Sequence, residues 1–340
     1  MLSSVVSSLT SRSVTSMRGA LVAAFGGPEN ILIKDDLPAP VITAPNQVLI
    51  DVHTAGINPV DTYIRSGVYA KLPELPYIPG RDGCGVVREV GSDVEHVKAG
   101  DRVWFLRDNG ITAEVTVATT VFPLPDALSF IEGACLGVPY LTAHRALFTR
   151  GHLKKSDRVL IHGASGGVGL AACQLARAFG ATLVVGSAGT KEGEEAVARN
   201  GAHHTVCHRD AKYVEELKKI APDGFDIIIE MLANANLATD LDLLARGGRV
   251  GIVGNRGEIT INPRALMQKE SSAYGVMLGG ATPEELASCS TILSSLFTSS
   301  SSFRPVCSRV YSLDEFPQSH RDIMDPALAA VGNRVVQVRK

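Results

Sequence analysis

The chain has 340 residues, 45% of them hydrophobic and 20% charged, with a formal net charge of -2. At roughly 150 residues per domain, this is two domains of ordinary soluble composition. The charge balance argues against nucleic acid or an anionic membrane as partner, since both select a basic surface, and no run reaches the roughly 18 apolar residues of a membrane helix.

The first residues, MLSSVVSSLTSRSVTSMRG, hold seven serines, Arg12 and Arg18, and no acid precedes Glu29. Such serine- and arginine-rich, acid-poor composition is that of a mitochondrial import segment. Residues 1–16 are therefore read as a presequence; a short disordered tail on a cytoplasmic protein is the alternative. From Leu21 to Phe122 short strands and turns follow. In QVLIDVH, Val48, Ile50 and Val52 share one strand face, and CGVVREVG and DRVWF continue the pattern. PELPYIPG, with three prolines, is neither a central strand nor a helix. This half reads as a small, largely β domain.

After roughly Pro139 strands alternate with helices, which implies right-handed crossovers and a parallel sheet. RVLIH is a buried strand, and a helical face follows through Val168, Ala171, Ala172, Leu175, Ala176 and Phe179. TLVVG, HHTVCH, FDIIIE and GGRVGIVG read as strands, and ESSAYGVML as one more. Helices are expected at Lys191–Asn200, Tyr213–Ile220 and Leu237–Ala245. Near the end, a helix around Glu284–Leu296, a serine loop at Ser299–Ser302, a strand around Arg304–Val310 and a closing strand RVVQV complete the chain. Cys84, Cys135, Cys173, Cys207, Cys289 and Cys307 include no CxxC pair, so reduced, mostly buried thiols are expected in place of a disulfide framework or zinc knot. His203 and His204 read as exposed loop histidines.

HGASGGVGLAACQLARAFGA, His162 to Ala181, carries the main functional signal. Here Ala164-x-Gly166-x-x-Gly169 lies between a strand and a helix, the arrangement that holds a dinucleotide pyrophosphate. The N–H groups at a helix start point outward, and the helix dipole favours an anion there. Gly166 would face the pyrophosphate, Gly169 would let the helix pack on the strand, and Ser165 and Gly167 add N–H donors. NAD sites place an acid about 20 residues on, at the next strand end. Here that end is Gly186-Ser187-Ala188-Gly189, with Lys191 nearby and His208 and Arg209 after the third strand. Small and basic residues suit a 2′-phosphate, and so NADPH.

With INPVDTYIRSGVY, IIIEMLAN, GGRVGIVGNRG and INPRALMQKESS, this block resembles the zeta-crystallin family of NADPH:quinone oxidoreductases, in the medium-chain dehydrogenase/reductase superfamily. The likeness runs from about Met17 to Lys340. It implies an α/β protein. A GroES-like, mainly-β catalytic domain (17–137 and 280–340) would hold between its parts a Rossmann domain, a doubly wound parallel sheet (138–279), with the active site in the cleft. By the resemblance Tyr63 lies beside the nicotinamide with Asn58 as its polar neighbour, and both are catalytic candidates. Ser165, Gly166, Gly167 and Val168 match the pyrophosphate loop, and Gly189 and His208 the adenosine-phosphate region. Asn236 matches the loop after IIIE, Val253, Gly254, Asn255 and Arg256 the stretch after the sixth Rossmann strand, and Val276, Met277 and Leu278 a backbone segment near the nicotinamide. The family's lysine stands as Glu195 here, GITAEV replaces an aromatic GGYAEY-like segment, the serine run resembles an insertion, and Arg334 takes a lysine's place.

Zinc alcohol dehydrogenases share this fold, and their metal needs an early cysteine and a histidine–glutamate pair after Pro-Gly. PGRDG offers Arg81 and Asp82, so no metal is expected. The implied activity is reduction of a small-molecule quinone by NADPH without zinc, in a homodimer or homotetramer. The alternatives are an enone or enoyl thioester reductase, and a crystallin-like structural protein or binder of AU-rich RNA.

Overall fold

The computed structural model describes residues 16–325, 328 and 331–339. The presequence read at residues 1–16 thus lies, apart from Ser16, outside the described residues. An antiparallel pair opens the chain, β1 (Ser16–Val22) and β2 (Ile31–Pro38). Then come β3 (Val48–Ile57), α1 (Pro59–Ser66), β4 (Asp82–Val90), β5 (Arg102–Leu106), β6 (Val115–Ala118) and β7 (Thr120–Pro123). Alternation places Val48, Ile50 and Val52 in the core with no exposure, and burying each such side chain contributes about 1.5–3 kcal/mol. The proline-rich PELPYIPG stretch makes one antiparallel bridge, Tyr77 to Val22.

Two short helices, α2 (Phe130–Gly133) and α3 (Gly137–His144), lead into the alternating half. It runs β8 (Arg158–Ile161), α4 (Gly167–Ala178), β9 (Leu183–Ala188), α5 (Lys191–Arg199), β10 (His204–Cys207), α6 (Tyr213–Ile220), β11 (Phe225–Glu230), α7 (Ala233–Leu243), β12 (Leu244–Ile252), α8 (Arg264–Lys269) and β13 (Ser272–Gly275). All six strands are parallel, in the order β10-β9-β8-β11-β12-β13. That is the doubly wound Rossmann order. The chain closes with α9 (Pro283–Ser299), β14 (Cys307–Ser312), α10 (Phe316–Asp322) and β15 (Asn333–Gln337). Strands β14 and β15 return to the first half, giving a sheet ordered β14-β15-β3-β4-β5-β7 with β6 also on β3.

Three boundaries differ from the sequence expectation. Helix α7 begins at Ala233, not Leu237, because the Glu230 carboxylate at the end of β11 accepts the Leu232 N–H and caps the helix from outside its own first turn. This puts Asn236 on the helix and not in a loop. GGRVGIVG ends the fifth strand of the six in chain order, so Val253–Arg256 follow the fifth and not the sixth. Helix α9 ends at Ser299, three residues beyond Leu296, and Ser300–Ser302 form the expected loop; Thr298 Oγ1 donates to the Ser294 carbonyl (2.8 Å) in the last turn. Strand β14 accordingly starts at Cys307. His203 and His204 are exposed, but they serve the sheet edge: His203 Nδ1 accepts the Val184 N–H (2.9 Å) and His204 opens β10.

Candidate active site and cofactor cleft

The strand order reverses between β8 and β11, and the crevice beyond the carboxyl ends at such a switch point is where open α/β sheets bind ligands. The glycine loop lies there. Gly166 is the extended N-cap of α4, so the first-turn N–H groups face the crevice. A Cβ added at Gly166 would have Gly163 O, 3.5 Å away, as its nearest neighbour, so that face is open. At Gly169 a Cβ would lie 2.5 Å from Gly163 O and 2.6 Å from the Ala164 Cα. Only hydrogen fits between helix and strand. Ser165 and Val168 are half-buried and Ala164 is fully buried. Gly167 packs toward Pro139 and Asn333; it serves contact with the neighbouring half as well as the loop. The Ser165 carbonyl accepts the Gly332 N–H (2.7 Å), and Gly166 bridges Gly332. Gly332 has φ +83, and a Cβ there would lie 2.3 Å from Val306 O.

At the end of β9, Gly189, His208 and Arg209 come together. A Cβ on Gly189 would lie 2.8 Å from His208 Nε2 and 3.2 Å from Arg209 Nε. Burial, then the charges of His162 and Arg209, lowers the His208 pKa. Lys191 is exposed at the first position of α5, which Thr190 caps through the Gly193 N–H (3.1 Å). Glu195 faces Arg199 at 3.7 Å. Residues 186–190 at this strand end include no acid; the nearest in sequence are Glu192 and Glu194 in the first turn of α5.

The other wall joins the two halves. Tyr63, on α1, is half-buried, and its hydroxyl accepts a hydrogen bond from Arg256 Nε (3.1 Å). Arg256 belongs to the segment after β12, which is tied to the start of α7: Asn234 Oδ1 accepts the Arg256 N–H (2.9 Å), and Ala233 N–H reaches Gly254 O (3.0 Å). Val253 N–H binds Glu230 O (2.9 Å), and the Asn255 amide donates to Gly257 O (2.7 Å). Val276 N–H binds Ile252 O (2.9 Å), placing Val276, Met277 and Leu278 beside that segment, and the Tyr69 hydroxyl reaches Met277 Sδ (3.5 Å) from the opposite half.

Sequence reasoning missed the buried acids that hold this cleft. Asn58 is buried, and its amide donates to Asp82 Oδ1 (2.7 Å); Asp82 Oδ2 accepts the Val138 N–H (2.7 Å) at the start of α3. Asp82 thus pins the N-terminus of α1 to α3. Asp61 Oδ2 accepts the Asn58 N–H (2.9 Å). Burial pushes Asp82 up to about 6 and Asp61 up to about 7. Beneath the crevice, His162 Nε2 lies 2.9 Å from Asp240 Oδ1 and 3.8 Å from Glu230 Oε2. Glu230 Oε1 accepts from the Asn236 amide (3.1 Å) and so orients that residue. Burial lowers the His162 pKa, but Asp240 and Glu230 outweigh it and hold it above its ordinary value; burial raises Glu230 to about 7. An isolated acid within an apolar run gives no periodic signal, so only the structure reveals these partners.

A GroES-like sheet joined to a six-stranded Rossmann sheet, with a glycine loop at the junction, defines a two-domain nucleotide-dependent oxidoreductase. Residues 44–124 match the alcohol dehydrogenase GroES-like domain, and residues 167–295 the zinc-binding dehydrogenase family. Over 312 residues the chain is 47% identical to the quinone oxidoreductase of Homo sapiens, covering 91% of this chain and 94% of that protein. The Escherichia coli quinone oxidoreductase, solved in complex with NADPH, superposes with a TM-score of 0.82 at 30% identity, over 94% of this chain and 99% of that one. The human synaptic vesicle membrane protein VAT-1 homolog-like protein shares the fold at TM-score 0.85 and 26% identity, over 96% and 99% of the two chains. The chain belongs to the quinone oxidoreductase family of the medium-chain dehydrogenase/reductase superfamily.

Zinc is named in one matching family, but the residues at that family's metal motif do not fit it. At the metal motif Arg81 pairs with Asp108 (3.0 Å), and both Asp82 oxygens are taken by Asn58 and Val138. A nicotinamide cofactor does fit: the loop over Gly166 is open, and basic groups surround Gly189. Among the described residues no helix is long and apolar enough to cross a membrane.

Proposed function

We propose that this chain reduces quinones with NADPH and without zinc. The observation that carries the cofactor preference is the meeting of Gly189, His208 and Arg209 at a strand end whose residues 186–190 include no acid. An acid there would bind a ribose diol and repel a 2′-phosphate; a guanidinium attracts it. Ala164–Gly169 would hold the pyrophosphate, and Asn236, Val253–Arg256 and Val276–Leu278 would line the remainder of the cofactor.

When bound, the nicotinamide supplies the hydride. The protein's part is position and charge. Arg256 donates to the Tyr63 oxygen, which leaves the phenolic hydrogen free to point at a substrate carbonyl. The nearby guanidinium also favours negative charge growing on that carbonyl oxygen. Quinones are already electrophilic, so this hydrogen bond and close approach to the nicotinamide replace a Lewis acid. Asn58, bound to Asp82, holds the start of α1 and so the placement of Tyr63.

The test is NADPH oxidation with ortho-quinones, para-quinones, enones and enoyl thioesters. Turnover confined to enoyl thioesters would overturn the quinone reading. Strand β13 ends the parallel sheet with Ser272, Ala273 and Gly275 exposed, and an unpaired edge favours strand pairing; this supports a homo-oligomer, to be read by light scattering. The serine-rich residues 1–16, with Arg12 and no acid, support mitochondrial delivery. A reporter fused to residues 1–20 that stays diffuse in the cytosol would overturn it.

A further inference from the structure

All six cysteines are free thiols. Cys84, Cys173 and Cys289 are buried, and burial holds each thiol well above its ordinary range. Cys135 and Cys307 differ, because the fold brings them together. Cys135 precedes α3 and is 2% exposed. Cys307 opens β14, is part-exposed, and stands in register with Asn333 of β15. Val306, Asn333 and Cys135 wall one narrow cavity beneath Gly167. The Cys135 thiol reaches the Ile131 carbonyl (3.4 Å) and the Cys307 sulfur, a contact that favours the thiolate at Cys307 and disfavours it at Cys135. One sulfur is part-exposed, and the other is buried beside it. That division of labour belongs to redox-active pairs, in which an exposed thiolate meets the oxidant first and a neighbour resolves it.

We propose that Cys135 and Cys307 form a reversible disulfide, with Cys307 as the thiol that meets the oxidant. With hydrogen peroxide the Cys307 thiolate attacks one oxygen, the O–O bond breaks, and hydroxide leaves to take up a proton as water. The sulfenic acid at Cys307 is then attacked by the Cys135 sulfur. The S–S bond forms, the S–O bond breaks, and a second water leaves with the Cys135 proton. Two thiols are oxidised and one peroxide is reduced to two waters. The link would tie the segment before α3 to β14, one residue from the Gly332 N–H that holds the Ser165 carbonyl.

The experiment treats the full-length folded protein with limiting peroxide, alkylates the remaining thiols and maps peptides by mass. The expected product is a cross-linked pair of peptides holding Cys135 and Cys307, lighter by two hydrogens and separated by dithiothreitol. In Cys135→Ser, Cys307 should stop as a dimedone-reactive sulfenic acid; in Cys307→Ser, Cys135 should stay reduced. In untreated protein Cys307 should alkylate at least ~10-fold faster than Cys207, the other part-exposed thiol. Absence of the cross-link, or equal labelling of Cys207 and Cys307, overturns the proposal, and the labelling arm needs no variant to fold.

Discussion

Asp61 gives the most direct test of how this cleft is held. Its side chain is 3% exposed, Oδ2 accepts the Asn58 N–H, and Oδ1 has no hydrogen-bond partner. Burial raises its pKa from 3.8 to about 7, with the Asp82 charge adding and the Asn58 hydrogen bond opposing. The folded state therefore keeps a proton that the unfolded chain has released. Stability falls as pH rises from the ordinary value through the folded one, and levels off above it. At ~1.4 kcal/mol per pH unit, the roughly two units between about pH 5 and about pH 7 remove ~3 kcal/mol. Asp61→Asn cannot ionise and should lack this loss. Its absolute stability is not the readout, because the substitution also alters the cap of α1. The readout is the difference from wild type, which should move in the variant's favour by ~3 kcal/mol between about pH 5 and about pH 8 in urea unfolding. Asp82 contributes its own slope to both proteins and largely cancels. Parallel stability curves across that range would show that Asp61 is ionised in the folded protein, and the account of a protonated buried carboxyl would fail.

Arg209→Ala should weaken NADPH binding by ~10-fold or more, the loss of a charge-assisted hydrogen bond of about 1.5–3 kcal/mol, and leave NADH unchanged; fluorescence titration at low salt reads both, and equal effects on the two cofactors would remove the phosphate from this corner. Lys191→Ala, on an exposed helix start, should cost less than Arg209→Ala in the same titration. Tyr63→Phe should lower kcat by ~10-fold with little change in cofactor affinity, and unchanged turnover would make Tyr63 a packing residue. Gly169→Ala should destabilise by about 1–3 kcal/mol in thermal unfolding, because a methyl there meets backbone atoms that cannot swing aside.

The elements with strong local signals were legible in the sequence. RVLIH, the glycine loop and the face from Val168 to Phe179 each satisfied a periodicity and a turn requirement together, and β8 and α4 followed. Tyr213–Ile220 was read to the residue. The failures arose where a distant group set the local structure. ANAN carries no apolar stripe, and α7 starts there with its first N–H groups taken by Glu230 at the end of β11 and by the Gly254 carbonyl after β12. In the site, Tyr63 and Arg256 were both named from the resemblance, but nothing in their spacing of 193 residues announced that one would donate to the other. Asp82 was read only as a missing metal ligand. Its actual work, joining Asn58 to Val138, is a contact between segments far apart in sequence.

The bond from the Gly332 N–H to the Ser165 carbonyl sets an order of events during synthesis. Strand β8, the glycine loop and α4 are all made by residue 178, and they adjoin one another in sequence. The partner that fixes the loop's outer edge is residue 332 of 340. A nascent chain can therefore build the Rossmann sheet, which ends at Gly275, but it cannot finish the nucleotide cradle until Gly332 has been made. Truncations that spare every residue of that sheet yet remove Gly332 and β15 should leave a folded sheet with a loose loop, so the cofactor cradle depends on a segment far downstream of the residues that form it.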